Sequence, residues 1–275
     1  MIQKHAQDWF AFLQPKNPKE QRDNGENEMK DTLAVVTGSG SGMGRAIAIE
    51  FANEGRSVAV LDRNLAGAEE TVALIKKAGG EATAFEVDIS SEENVLAARD
   101  KVEAKYGNAL ILVNCAGWEE IYPFMETTSD FRSKIISINL IGAFSVTHAF
   151  LKGMIEAGKG GRIVNISSDA GRVGSSYEVA YSGAKGGLIG FTKALAREMA
   201  RHQITVNCVC PGPTDTPMLH SAPTKYTESL AKIVPLRRIG TPEDISNAVV
   251  FFANEKSGFI TGQTLSVSGG LTMAG

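Results

Sequence analysis

From Thr32 onward the chain alternates short apolar, β-branched runs with longer stretches of helical period, and this alternation restricts its fold more than any other feature. The runs Leu33–Thr37, Ser57–Asp62, Ala82–Asp88, Ala109–Asn114, Arg162–Ser167, Thr205–Cys210 and Thr264–Val267 are predicted strands. Between them, Arg45–Glu54, Leu65–Ala78, Ser91–Tyr106, Phe131–Glu156, Tyr181–Arg201 and Pro242–Ala253 are predicted helices. Several strands are apolar at nearly every position, as in a parallel sheet with helices on both faces. Such an order gives a doubly wound α/β fold whose ligand sits beyond the carboxyl ends of the strands.

A length of 275 residues suits one such domain, and no internal repeat or low-complexity tract divides it after Thr32. Residues 1–30 read as a mobile extension before a catalytic domain at 31–275. The apolar patch of Trp9, Phe10, Phe12 and Leu13 is too short for a signal peptide, and Asp8, Glu20 and Asp23 do not suit a transit peptide. A cytoplasmic location is the default expectation. A formal charge of −3 exerts no pull on nucleic acid or anionic membrane, and no membrane span is expected. The three cysteines form no paired framework. Cys208 and Cys210 lie two apart, so on a strand both thiols face one side. Neither they nor the four histidines show metal-ligand spacing, and no metal is expected.

The first strand runs into Thr37-Gly38-Ser39-Gly40-Ser41-Gly42-Met43-Gly44. Glycines here let the backbone turn sharply and approach a pyrophosphate seated on the next helix's N-terminus. The register that fits is T-G-x-x-x-G-x-G, on Thr37, Gly38, Gly42 and Gly44, rather than G-x-G-x-x-G. The second strand ends at Asp62, about twenty residues beyond the glycines, where an acid takes the adenosine ribose hydroxyls. An anion there repels the extra phosphate of NADP and favours NAD, although Arg63 beside it softens the repulsion.

Tyr181 and Lys185 stand four apart in a predicted helix, so phenol and ammonium share a face. An ammonium about 4 Å from a phenolate at an effective dielectric of about 20 contributes about 4 kcal/mol, roughly three pKa units. That is enough to bring a tyrosine toward neutrality, where it trades a proton with a substrate oxygen; burial opposes the shift. Upstream, Ser168 follows a strand and offers a hydroxyl to the same oxygen. Asn139 lies inside an apolar helix, where a buried amide needs partners. It is either a satisfied core residue or the anchor of a water that relays protons from Lys185.

Together these residues resemble the short-chain dehydrogenase/reductase family over Thr32 to Gly275: Thr37-Gly38…Gly42…Gly44, Asp88, Asn114-Cys115-Ala116-Gly117, Asn139, Ser168, Tyr181 with Lys185, and Pro211-Gly212. The resemblance implies a single-domain Rossmann-type three-layer αβα sandwich with a mostly parallel seven-stranded sheet. It implies catalytic roles for Asn139, Ser168, Tyr181 and Lys185. It implies NAD contacts from Gly38, Ser41, Gly42, Met43 and Gly44, and from Asp62, Arg63, Asp88 and Ile89 around the adenosine. Asn114, Ala116, Gly117, Tyr181 and Lys185 would face the nicotinamide side, with Pro211, Gly212, Thr214 and Thr216 on the carboxamide and phosphates. The family's usual Asn-Asn-Ala-Gly reads Asn-Cys-Ala-Gly here. A homo-oligomer, by family habit a tetramer, is expected.

The stretches Asn114–Trp118, Ser168–Ser176, Cys210–Thr216 and Gly258–Gln263 also resemble family members that act on alicyclic hydroxyacyl-CoA thioesters. The expected substrate is a cyclic secondary alcohol or ketone, or an acyl-CoA. Trp118, Tyr122, Phe124, Arg172, Val173, Tyr177 and Met218 would surround it, under a lid at about 214–238 whose Lys225, Lys232, Arg237 and Arg238 would meet CoA phosphates. Two other readings stay open: a 3-oxoacyl-thioester reductase using NADPH, and a non-catalytic dinucleotide sensor, which the Tyr181–Lys185 pair disfavours.

Overall fold

The computed structural model describes residues 32–220 and 224–274, without the side chains of 224–228; the expected extension at 1–30 lies outside the described residues. Seven parallel strands form one sheet: β1 Leu33–Thr37, β2 Ser57–Asp62, β3 Ala82–Glu86, β4 Ile111–Asn114, β5 Gly161–Ile166, β6 Ile204–Pro211 and β7 Thr264–Val267. Their order is β3-β2-β1-β4-β5-β6-β7, with Val35 opposite Ala59 on one side and Leu112 on the other. Strand order reverses between β1 and β4, which opens a crevice at their carboxyl ends.

The helices are α1 Gly42–Asn53, α2 Leu65–Lys77, α3 Glu92–Tyr106, α4 Ser129–Ala157, α5 Asp169–Val173, α6 Val179–Met199, α7 Pro217–His220, α8 Thr224–Ile233 and α9 Pro242–Ala253. Because strand side chains alternate in direction, β1 feeds two cores at once. Ala34 and Val36 pack with Ile47, Phe51 and Phe252 from α1 and α9, while Leu33 and Val35 pack with Phe150 and Met154 from α4. Phe51 and Phe150 are essentially inaccessible, each burial stabilising by about 1.5–3 kcal/mol. The sandwich expected from the alternation is therefore present.

Two elements depart from their predicted form. Helix α1 begins at Gly42, inside the glycine run, rather than at Arg45. Helix α4 is regular over Ser129–Ile136 and Gly142–Ala157 but widens to a π turn at Ser137–Ile141, which holds Asn139. By length and composition α4 could cross a membrane, yet Val146, Phe150 and Met154 are taken up by the core.

Candidate active site

Thr37 ties the first turn to the β4 end: its hydroxyl oxygen accepts from the Cys115 and Ala116 backbone N–H groups, both at 3.1 Å. Gly38, at φ +67°, lies so close that a Cβ there would come within 2.6 Å of the Ala116 Cα. Ser41 caps α1 without a side-chain bond and no acid stands in the first turn, so the helix N-terminus keeps its unmet N–H donors. Those donors open on a cavity of about 560 Å³, a size that suits a cofactor site. Gly38, Ser41, Gly42, Met43 and Gly44 line it at the turn. Asp62, Arg63, Asp88 and Ile89 line its β2–β3 side, and Ala116, Gly117, Trp118, Thr216 and Met218 the rest. The cradle and its free donors fit a dinucleotide pyrophosphate.

Both oxygens of Asp62 are engaged: one accepts from Gly40 N–H and the other from Asn64 N–H, each at 2.8 Å. The carboxylate is thus fixed in the cavity wall. Bonds from the Ser90 hydroxyl and N–H hold Asp88 below the usual carboxylate range.

At the other end, Gly117 abuts two of the expected catalytic groups; a Cβ on it would come within 2.9 Å of Asn139 Oδ1 and 3.5 Å of Lys185 Nζ. The Lys185 amine donates to the Ile166 carbonyl at 2.9 Å and lies 5.5 Å from the Tyr181 ring centroid. Ser167 donates to the Lys185 carbonyl at 2.8 Å, so α6 is pinned to the end of β5. The Ser168 hydroxyl is within bonding reach of Tyr181 and also accepts from Ala170 N–H. Tyr181, Ser168, Lys185 and Asn139 do not themselves line the large cavity; Asn139 and Lys185 lie behind Gly117 in its wall, and Tyr181 lines a small recess with Tyr122, Phe131 and Tyr177.

Several expectations need correction. The phenol is not acidified: burial, then Glu119 and Glu178, raise the Tyr181 pKa, while Ser168 lowers it less. Burial likewise lowers Lys185, so desolvation outweighs the attraction expected between the two. Of the two readings of Asn139, the satisfied core amide describes its side chain, which donates to the Trp118 and Ile135 carbonyls and accepts from Trp118 N–H, fastening the β4 loop to the π turn. Asn114 turns away from the cavity to donate to Thr147 and Asn165. Of the segment that follows β6, Thr216 and Pro217 line the cavity.

The substrate side departs further. Arg172 donates to Ser266 at 2.8 Å and to the Ala274 carbonyl, clamping the C-terminal segment instead of facing substrate. Val173 is 62% exposed and Tyr177 58%. Of the lid cations, Arg238 is paired with Asp244 and Arg237 donates to the Lys232 carbonyl; the Lys225 side chain lies outside those described.

Sequence reasoning missed Glu119 and Glu178 beside Tyr181, and Ser133, Lys134 and Ser137 in the cavity wall. Lys134 stacks on Trp118, its amine 3.6 Å from the ring centroid. The run Trp118-Glu119 after a glycine turn was the available signal for Glu119; nothing local points to Glu178.

A nucleotide cradle at the switch point of a parallel sheet, with a tyrosine and a lysine held at its end, defines a dinucleotide-dependent oxidoreductase. A family profile described as enoyl-(acyl carrier protein) reductase matches residues 38–272. Human (3R)-3-hydroxyacyl-CoA dehydrogenase is 38% identical over 256 residues, covering 90% of this chain and 98% of the relative. A Pseudomonas aeruginosa 3-oxoacyl-(acyl-carrier-protein) reductase is 36% identical over 246 residues, covering 90% and 99%. A Sinorhizobium meliloti structure, solved as a candidate short-chain alcohol dehydrogenase, superposes with a TM-score of 0.83 at 35% identity over 88% of this chain and 98% of that one. The chain belongs to the short-chain dehydrogenase/reductase family.

Proposed function

We propose that the protein interconverts a secondary alcohol and its ketone on an acyl thioester, with NAD as the hydride carrier. The observation that carries this reading is the Tyr181 phenol, held beside Ser168 and next to the Lys185 amine, behind the Gly117 wall of the nucleotide cavity. Bound NAD would accept the hydride leaving the carbinol carbon. Tyr181 exchanges the hydroxyl proton, Ser168 bonds the same oxygen, and the Lys185 amine, tied to the Ile166 carbonyl, stands beside the phenol. In the free protein the raised Tyr181 is protonated, ready as the acid for ketone reduction. Alcohol oxidation needs the phenolate, so its rate climbs with pH.

Asp62 supports NAD over NADP, because a carboxylate fixed at the end of β2 in the cavity wall would repel a 2′-phosphate on an adenosine ribose bound there. The names of the relatives support a hydroxyacyl or 3-oxoacyl thioester. Within that class the finer resemblance favours 2-hydroxycyclohexanecarboxyl-CoA, with Trp118 against the ring. Exposed Phe251, Phe259, Leu265 and Met273 around β7 support a homo-oligomer.

The test is absorbance of NADH and NADPH with 2-hydroxycyclohexanecarboxyl-CoA, 3-hydroxyacyl-CoAs and simple cyclic alcohols. NAD-linked turnover of an acyl-CoA, at least tenfold above NADP, is expected. NADPH-linked reduction of 3-oxoacyl thioesters in its place would establish the rival reading, and no turnover would leave a dinucleotide sensor.

A further inference from the structure

The charged side chains in the wall of the nucleotide cavity are unevenly placed. Asp62, Arg63 and Asp88 mix both signs at the β2–β3 end, whereas Lys134 stands with Trp118 at the Gly117 end. Helix α4 presents Lys134 together with Ser133 and Ser137, at the three- and four-residue spacings that share a face. The amine sits over the Trp118 ring, 3.6 Å from its centroid, a cation–π contact that orders a long and exposed side chain. Trp118 is itself fixed. Its N–H donates to Asn139 Oδ1 at 3.2 Å, its carbonyl accepts from Asn139 Nδ2 at 2.7 Å, and its ring meets Phe131 edge-on.

Among the described residues Lys134 forms no ion pair. An ammonium has three donors, and the indole face occupies one side of it, so the outward donors stay open to an anion. The dinucleotide does not call for this cation. Its pyrophosphate has the unmet N–H donors at the start of α1.

From Trp118 an aromatic row leads to the reacting groups. Phe131 lies 5.8 Å from Trp118 and 5.4 Å from Tyr122 between ring centroids, and Phe131, Tyr122 and Tyr181 line one recess. A ligand whose carbonyl lies at Tyr181 thus passes apolar rings before it meets a cation. An acyl thioester on a phosphorylated pantetheine arm has its chemistry in that order: carbonyl, uncharged arm, phosphate.

We propose that Lys134, held on Trp118, is a specificity-determining residue that binds a phosphate of the acyl carrier. The inference rests on the reading of the substrate as an acyl thioester, and it names the group that recognises the carrier.

The experiment measures KM for one acyl group on three carriers: coenzyme A, phosphopantetheine, and N-acetylcysteamine, which has no phosphate. Lys134→Met keeps the apolar stem over Trp118 without the charge, and Lys134→Arg keeps the charge. NADH affinity by fluorescence is read alongside. The preference for coenzyme A over N-acetylcysteamine, as the ratio of KM values, should fall about tenfold in Lys134→Met, the worth of one charge-assisted contact discounted for exposure. In Lys134→Arg it should stay within about twofold of the parent's, since a guanidinium both stacks and pairs with phosphate. Added salt should raise the parent's KM for the coenzyme A thioester more steeply than the Lys134→Met variant's. A fall shared by phosphopantetheine places the contact at the arm's own phosphate, and a fall confined to coenzyme A places it at the phosphates beyond; both support the proposal. An unmoved ratio in Lys134→Met overturns it. So does a tenfold loss of NADH affinity beside an unmoved ratio, which would give Lys134 to the dinucleotide. The two levels separate in the parent. Turnover of secondary alcohols without any thioester refutes the reading of the substrate and the proposal with it, whereas thioester turnover beside an unmoved ratio refutes only the role of Lys134.

Discussion

At the β1–β2 end of the crevice the walls are backbone and short side chains, and their polar atoms are tied to one another. Thr37 is bound to the β4 loop, Asp62 to Gly40 and Asn64, and Thr71 to the Ser39 carbonyl at 2.8 Å. At the β4–β5 end the walls are large side chains, many of them exposed: Phe124, Val173, Tyr177 and Met218. Tyr177 even adopts a left-handed backbone, φ 68°, which costs a non-glycine residue about 1–3 kcal/mol. The contrast teaches what each end must do. A turn that approaches a pyrophosphate leaves little freedom in residue type, whereas a pocket that selects one acyl group is free to change its lining.

The largest expected effect breaks the two ends apart chemically. Tyr181→Phe removes one oxygen from the catalytic end and touches nothing at the glycine turn. Turnover should fall by about 10²–10⁴-fold, the usual worth of a positioned proton-transfer group. Dinucleotide affinity, measured by NADH fluorescence, should stay within about twofold. Affinity lost in parallel with turnover would mean that the ends do not act separately.

Gly40→Ala sharpens the comparison from the other side. A Cβ at Gly40 would come within 2.9 Å of the Asp62 carboxyl and 3.2 Å of Ala68 N. The carboxylate must then swing away from the position argued for the ribose. We expect NAD to bind about tenfold more weakly, a loss of about 1.4 kcal/mol. The rate at saturating NAD should stay near the parent's. A lower saturating rate with unchanged affinity would place Gly40 in the chemistry instead.

How far each end was legible follows from the same contrast. All seven strands follow from apolar periodicity, since both faces of a parallel sheet are buried and leave a dense signal. The glycine turn and Asp62 were legible because their spacing is set by one rigid ligand. Tyr181 and Lys185 were legible as neighbours through helical geometry, yet the sign of the phenol's shift was not. That sign depends on burial and on Glu119 and Glu178, which are far apart in sequence and meet only across the fold. Arg172 was expected among the residues around the substrate. Its partners, Ser266 and Ala274, come from the C-terminal segment, and no local pattern announces such a clamp. Asn165, which donates to Thr192 at 2.9 Å and accepts from Asn114 at 2.8 Å, passes for a strand residue until α6 packs over it.

The smallest expected effect concerns the lid cations. The four cations read equally as a phosphate clamp or as the polar face of a solvated amphipathic helix; Arg238 is held by Asp244, itself drawn down to about 2, and Arg237 closes the end of α8 through the Lys232 carbonyl. Lys232 is exposed, so salt at physiological strength screens its charge beyond about 8 Å. Lys232→Ala should therefore change KM for an acyl-CoA by less than about twofold and leave a simple cyclic alcohol untouched. Lys134, stacked on Trp118 in the cavity wall, is the better placed cation to meet a thioester's phosphates. A tenfold rise in KM confined to acyl-CoA in Lys232→Ala would restore the lid as the anchor and extend the substrate end of the crevice to α8.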